Sequence, residues 1–207
     1  MKIARNVPRG LLLALAASLA LVSASGATEF LVEGFKLVVV DRPTSKKIVY
    51  LTKDPDVGVP TAGGADDPTQ VEGSFTLKTF HVGGGDETVI FPLPEANWVA
   101  KNTSSGTLFK FVNAEAPSGP SAVKTVVLRN GVLKVKAREV SPITLDEGGQ
   151  SQMGVRLDLG VSRWCSAFGV KITKNEPGIF VAKRQESDPG ACISASPSGA
   201  FLDGTLP

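Results

Sequence analysis

The sequence predicts an all-β protein: a single β-sandwich or Greek-key barrel-like domain of about ten short strands, closed by one disulfide. Three observations support this prediction. After Ala27, no stretch of 12 or more residues has apolar positions at helical spacing. Alternating or β-branched runs recur instead, and turn-forming residues separate them. The two cysteines, Cys165 and Cys192, follow an export signal, and exported cysteines usually pair.

The export signal occupies residues 1–27, which have the three parts of a secretory signal peptide: basic residues, an apolar run over 11–22, and small residues. A run of about 12 residues is shorter than the roughly 20 that span a bilayer, so we expect no membrane anchor after cleavage. Cleavage fits after Ala24 or after Ala27. The mature protein is then expected to be periplasmic or extracellular.

Removing this leader changes the charge balance. The whole chain has 22 Lys and Arg against 20 Asp and Glu, and three of the bases lie in the leader. A near-neutral mature protein has no general electrostatic reason to bind nucleic acid or anionic lipid. The alternating bases Lys134, Lys136 and Arg138 are interpreted as the solvated face of a strand. By size, we predict that residues 28–193 form one β-rich domain and that 194–207 is a flexible tail.

The first predicted strands are Phe35–Val40 and Lys47–Thr52, separated by a turn at residues 41–43. Four consecutive apolar residues, Leu37–Val40, favour a strand that is covered on both faces. The next segment, Asp54–Thr69, contains too many prolines and glycines for a strand interior and is predicted as a loop.

Two hairpins follow this loop. Ser74–Phe80 alternates apolar and polar residues and pairs with Glu87–Leu93 across a glycine-rich turn. In the second hairpin, Asn130-Gly131 supplies the two positive-φ positions of a type I′ turn, which places Leu128 opposite Leu133. The remaining predicted strands are Thr107–Val112, Pro142–Leu145, Gln152–Leu159, Arg163–Phe168 and Ile179–Lys183.

Cys165 and Cys192 are predicted to form a disulfide, because an exported chain with two cysteines most simply pairs them. The bridge would tie the Arg163–Phe168 strand to the segment after Lys183. By the chain-entropy estimate, closing a loop of this length stabilises the fold by about 3 to 4 kcal/mol.

Catalysis by an imidazole would require His81, the one histidine of the chain. His81 lies at the end of a strand, beside a glycine turn, where a solvated hairpin residue is the ordinary expectation. A hydrolase that uses a pair of carboxylates is a further alternative, although the spacing of the acids favours no particular pair.

Calcium is the metal that the Asp54–Thr69 loop could bind, with Asp54, Asp56, Asp66 and Asp67 as the candidate ligands. Carboxylates in a Gly-rich loop are the hard oxygen ligands that calcium prefers. Their spacing matches neither an EF-hand nor a calcium-binding β-roll. The alternative is that these aspartates cap turns through bonds to nearby backbone N–H groups.

A glycan is the candidate ligand of the two tryptophans. Trp98 and Trp164 could form a platform on which sugars stack, as in carbohydrate-binding modules. The alternative is that both rings belong to the hydrophobic core. Burial of the two rings would leave little surface for a sugar.

Several motifs together resemble a known type of protein, namely KIVYLTKDP, GGADDPT, LP-x-x-NW, VVLRNG, ITLDE, RWCSAFG and FVAK, followed by a late cysteine. This pattern, over roughly Phe35 to Cys192, resembles an uncharacterised all-β module of secreted bacterial extracellular proteins. Similar modules often carry two more cysteines, near the positions of Ser121 and Ala137–Arg138, and both are absent here. The resemblance implies a secreted structural or binding module and brings no activity or ligand with it. From the residues we expect no catalytic centre, and an extracellular protein or a glycan is the candidate partner.

Overall fold

The computed structural model describes residues 27–81, 83, 85–114, 122–139, 143–184 and 192, which form two β-sheets in a sandwich-like arrangement. The strands are β1 (Thr28–Leu31), β2 (Gly34–Arg42), β3 (Ser45–Thr52), β4 (Gly73–His81), β5 (Thr88–Leu93), β6 (Trp98–Thr103), β7 (Gly106–Val112), β8 (Val123–Arg129), β9 (Val132–Arg138), β10 (Gln150–Leu159), β11 (Ser162–Phe168), β12 (Ile172–Glu176) and β13 (Ile179–Lys183). One 3-10 turn, Glu95–Asn97, precedes β6. The all-β prediction is confirmed, with thirteen strands in the described ranges rather than about ten.

The smaller sheet has five strands in the order β1-β11-β10-β4-β5. Its edge strand β1 runs parallel to β11, with Thr28 opposite Ser162. The other neighbours are antiparallel, and β4 and β5 form the predicted hairpin, with Phe75 opposite Phe91. The parallel pair brings the beginning of the described chain against a strand near its end.

The larger sheet has eight antiparallel strands in the order β12-β13-β2-β3-β9-β8-β7-β6. Its central β8–β9 hairpin has the predicted register, with Leu128 opposite Leu133. Gly131 in the turn has a φ of 70°, a conformation that glycine adopts without strain. The hairpin and its register are confirmed, but the predicted type I′ turn is wrong, because Gly131 has a positive φ and Asn130 does not.

The hydrophobic core lies between the sheets. Successive side chains of a strand point to opposite faces of its sheet, so every second residue of a strand points into this core. Tyr50 of the larger sheet stacks on Phe75 of the smaller sheet, with ring centroids 6.2 Å apart. The Tyr50 hydroxyl lies 2.8 Å from the Ser166 hydroxyl, which in turn donates to the Val32 carbonyl. Burial raises the pKa of Tyr50 above its ordinary value.

The predicted strand Pro142–Leu145 is wrong for its described residues. Residues 143–146 belong to no strand, although Ile143 and Leu145 are buried. The Leu145 N–H donates to an Asp41 carboxylate oxygen at 3.1 Å, and its carbonyl accepts from the Gly178 N–H. These bonds to distant residues satisfy the backbone in place of a strand ladder, so the apolar residues here are a buried loop.

Two further expectations need correction. Strand β2 continues to Arg42, and the turn consists of Pro43 and Thr44 instead of residues 41–43. Strand β2 is not covered equally on both faces, since its outward Lys36 and Val38 are partly exposed whereas the inward Leu37 and Val39 are buried. Strands β1, β6 and β12 were not expected.

The predicted disulfide between Cys165 and Cys192 is confirmed, with the two Cα atoms 5.3 Å apart. Cys165 lies opposite Arg156 in the smaller sheet, next to the inward-facing Trp164. Its side chain therefore projects from the outer face of that sheet. The bond attaches Cys192 to this face, where Thr76 and Arg156 are also buried.

Two of the predicted segments lie beyond this description. Residues 1–26 of the signal peptide and the tail 194–207 are outside the described residues. Within the described ranges, no helix has the length and apolar character required to cross a bilayer.

Candidate functional site

The two tryptophans do not form a sugar platform, and that prediction is wrong. Trp98 is 5 % exposed and Trp164 is 1 % exposed. Trp98 packs edge-on against Phe111 with centroids 5.4 Å apart, and Trp164 stacks on Phe30 at 5.2 Å. Both rings lie on the inward faces of β6 and β11. They are core residues and leave no ring for a sugar to stack on.

Asp67 organises the loop between β3 and β4. Its carboxylate accepts hydrogen bonds from the Gly63 N–H at 2.7 Å, the Thr69 N–H at 2.8 Å and the Thr69 hydroxyl at 2.7 Å. Burial alone would raise its pKa, but these bonds outweigh that effect and lower the pKa below its ordinary value. Asp67 is therefore an ionised turn residue whose oxygens are used by the loop itself.

Two of the other three candidate ligands also accept hydrogen bonds from the protein itself. Asp54 accepts from the Glu33 N–H and, at 2.8 Å, from the Asp56 N–H, while Asp66 accepts from the Ser162 hydroxyl at 2.7 Å. Among the described residues, no three His, Cys, Asp or Glu side chains are grouped as metal ligands. The structure does not assemble the predicted calcium site and supports the turn interpretation instead.

His81 is the last residue of β4, as the sequence indicated. Its N–H donates to an Asp86 carboxylate oxygen at 3.0 Å, and its Nδ1 accepts from the Gly83 N–H at 3.2 Å. These contacts close the turn between β4 and β5. They give His81 a structural role in that turn.

A cavity of about 540 Å³ lies beside the β2–β3 turn. Its described lining is Pro43, Thr44, Ser45, Lys46, Lys47, Arg138 and Glu139. Glu139 is the one carboxylate of this lining, and its N–H donates to the Lys46 carbonyl at 2.8 Å. Hydrolysis by a carboxylate pair needs two such groups across a cleft. The described lining instead offers a concentration of positive charge.

This positive charge belongs to a larger feature. The strands of the eight-stranded sheet contain thirteen Lys and Arg but two acids, Asp41 and Glu176. The strands of the five-stranded sheet contain three bases and two acids. A chain that is nearly neutral as a whole therefore concentrates its bases in one sheet.

Most of these bases point to solvent. Lys134 and Lys136 flank the buried Val135, so strand alternation places both on the outer face. The same argument from neighbouring core residues defines the basic face as Lys36, Lys47, Lys101, Lys110, Arg129, Lys134, Lys136, Arg138, Lys174 and Lys183. Glu176 is the one acid that these strands add to this face, 3.2 Å from Lys174. Asp41 lies on the opposite side, paired with Lys46.

Like charges also stand directly opposite each other on the basic face. Lys47 is the partner of Arg138 in the β3–β9 ladder, and Lys183 is the partner of Lys36 in the β13–β2 ladder. Such pairs destabilise a sheet, whereas opposite charges at these positions would stabilise it. The arrangement reduces stability and concentrates positive charge on this face.

The alternation of Lys134, Lys136 and Arg138 indicates one solvated strand face. The basic face spans eight strands, so this single pattern does not predict it. A signal is nevertheless present in the sequence, because nearly every strand of the larger sheet carries a base beside a core residue. Comparisons with protein-family models, characterised proteins and solved structures found no match for this chain.

Proposed function

We propose that this protein is a secreted binding module and that the basic face is its binding surface. The observation that carries the proposal is the ten outward cations against one outward acid in the strands of the larger sheet, in a chain with 22 bases and 20 acids. Sequestering charge of one sign on one face is unfavourable for folding. It is favourable for attracting a partner of opposite charge.

Other features support the location and the absence of a catalytic role. The signal peptide, the disulfide and the resemblance to secreted bacterial modules all favour a periplasmic or extracellular site of action. The aspartates predicted as metal ligands serve turns, and His81 closes a hairpin. These assignments favour a binding module over a hydrolase.

The proposal is tested by applying the chain that starts at Thr28 to an array of neutral and acidic glycans. We expect retention on at least one glycan class, and weaker retention of the variant K36Q/K110Q/K134Q. The control is R163Q, which removes a cation of the smaller sheet that lies 3.2 Å from Glu29. The control should bind like the unmodified protein. Retention that is absent, or equal in all three proteins, would contradict the proposal.

A further inference from the structure

We infer that the ligand of the basic face is a linear acidic polysaccharide. This inference rests on the proposed function, since it assumes that the basic face binds. It adds the chemical class of the partner and the part of the face that it follows. Four features of the face support it.

The first feature is a regular row across the sheet. Paired positions on seven neighbouring strands place these residues side by side, in the order Lys183, Lys36, Leu51, Lys134, Val127, Lys110 and Val99. From Lys36 onward, a cation alternates with an aliphatic residue. Because neighbouring strands are about 4.8 Å apart, the cations recur every 10 Å or so. We call these seven residues the central row.

This interval suits a linear polymer that carries one acidic group on every second sugar, because the charges of such a chain lie two ring lengths apart. A chain lying across the strands would place its carboxylates near Lys36, Lys134 and Lys110 in turn. The uncharged sugars between them would lie over Leu51 and Val127.

The second feature is the height of the side chains. A lysine ammonium stands on a four-carbon stem, whereas Val127 and Leu51 are short and half-buried between their neighbours. The aliphatic residues therefore lie lower on the face than the ammonium groups on either side of them. The C–H faces of sugar rings can contact these aliphatic residues while the carboxylates bind the ammonium groups. Insertion into a lipid layer requires the opposite arrangement, with the apolar groups outermost.

The third feature is the shortage of acids on the face. A second copy of this chain would bring cations against cations, which costs free energy at every contact. A polymer that presents carboxylates without compensating cations has the complementary charge. Such a partner would also reduce the repulsion between Lys183 and Lys36, which are paired at one end of the row.

The fourth feature separates polysaccharide from nucleic acid. The central row contains no aromatic side chain. Proteins that bind single-stranded nucleic acid stack the bases on aromatic rings, and this stacking supplies a large part of the affinity. Aliphatic residues between lysines serve a polymer of sugar rings better than a polymer of bases.

The test uses hyaluronan oligosaccharides, which carry a carboxylate on every second sugar, with neutral dextran as the comparison. Binding of the chain from Thr28 is measured by calorimetry at low and moderate salt. We expect hyaluronan to bind, salt to weaken the binding, and dextran not to bind. The variant K36Q/K110Q/K134Q should bind about tenfold more weakly, since each exposed charge contact contributes up to a few-fold. R163Q should bind normally.

A second variant tests the spacing at constant charge. V127K/K134V moves one cation to the next strand within the central row, so composition and net charge are unchanged. We expect a several-fold loss of hyaluronan affinity. Thermal unfolding of each variant shows whether it is folded, and the Gln variant tests the inference independently of this exchange.

Several results would overturn the inference. These are equal binding of dextran and hyaluronan, unchanged binding by both row variants, or tighter binding of duplex DNA or phosphatidylserine vesicles than of hyaluronan. Retention of neutral glycans through the basic face would refute the inference but keep the proposed function. Absence of any binding that depends on the face would refute both.

Discussion

At the scale of single residues, Asp67 shows how one carboxylate can order a long loop. It is 3 % exposed and accepts three hydrogen bonds, from groups that precede and follow it in the chain. These donors lie in a loop and have no partner in a strand ladder, so the Asp67 carboxylate is their hydrogen-bond acceptor. The residues between β3 and β4 are therefore held in place without secondary structure.

We expect the substitution D67A to destabilise the protein by about 1 to 3 kcal/mol, because three part-buried hydrogen bonds to an ionised carboxylate are lost. Urea unfolding at neutral pH measures this effect. The control D56A removes an exposed carboxylate of the same loop and should change stability by roughly 0.5 kcal/mol or less. Equal effects of the two substitutions would show that Asp67 does not organise the loop.

The contribution of Asp67 should also depend on pH. Its pKa is lower in the folded protein than in the unfolded chain, where aspartate has a pKa of about 3.9. The ionised form is therefore stabilising above pH 4 or so, and this stabilisation is lost as the pH falls through the folded pKa. The stability difference between D67A and the unmodified protein should shrink in that acid range. A difference that is constant from neutral to acid pH would contradict this assignment.

Tyr50 permits a spectroscopic prediction, because it is the one tyrosine of the chain. Burial raises its pKa, so the folded protein should show no tyrosinate near pH 10, where an exposed tyrosine ionises. The folded form retains the proton that the unfolded form loses, so stability should fall as the pH rises above that value. Ultraviolet titration with and without urea measures both effects. Tyrosinate that forms near pH 10 in the folded protein would refute the prediction.

At the scale of elements, local sequence patterns predicted most of the strands but did not predict which strands pair with each other. The β8–β9 hairpin was predictable because its turn residues and its register are set within a few positions of Asn130. Strand β1 has four residues directly after the predicted leader, too few to show a period, and its parallel pairing with β11 leaves no pattern in the local sequence. Five of the six residues of β6 are exposed, so that strand shows no apolar alternation either.

The error at Ile143–Leu145 has a similar cause. The residues are apolar and buried, which favours a strand when only the sequence is considered. What fixes their backbone is the carboxylate of Asp41, 104 positions away. No local pattern can reveal a hydrogen bond between residues so far apart in the chain.

The disulfide should stabilise the joined elements by limiting the unfolded chain. Cys165 and Cys192 are 27 positions apart, and closing such a loop stabilises a fold by roughly 3 to 4 kcal/mol in the chain-entropy model. Reduction should therefore lower the melting temperature. The variant C165A/C192A should melt at a similarly low temperature and should not respond to reductant. Identical melting of the oxidised and reduced protein would contradict this prediction.

At the scale of the whole molecule, composition concealed the candidate site. The net charge of +2 for the full chain, and of nearly zero without the predicted leader, is a sum over all surfaces. The basic face exists because strand pairing brings together three outward bases from β9 and one from each of the other seven strands. Sequence position alone does not place Lys36 in line with Lys110, and only the strand order β2-β3-β9-β8-β7 does so.

Strand β1 should be needed for the stability of the whole sandwich. Phe30 stacks on Trp164, and the Thr28 N–H donates to the Val161 carbonyl at 2.7 Å. A chain that begins at Val32 should lose roughly 2 to 4 kcal/mol relative to one that begins at Thr28, because it uncovers a core ring and a strand edge. Urea unfolding compares the two, and red-shifted tryptophan emission should report the uncovered ring. Equal stabilities would show that β1 is dispensable.

The parallel pairing of β1 with β11 also sets the order in which the molecule can be completed. Synthesis proceeds from the N-terminus, so Thr28 leaves the ribosome long before Ser162, its neighbour in the sheet. Contacts between such distant positions raise the contact order and slow folding, because a long loop must close before they form. The chain must therefore be synthesised as far as β11, which ends at Phe168, before β1 can pair with it. The pairing of this edge strand is thus a late step in folding.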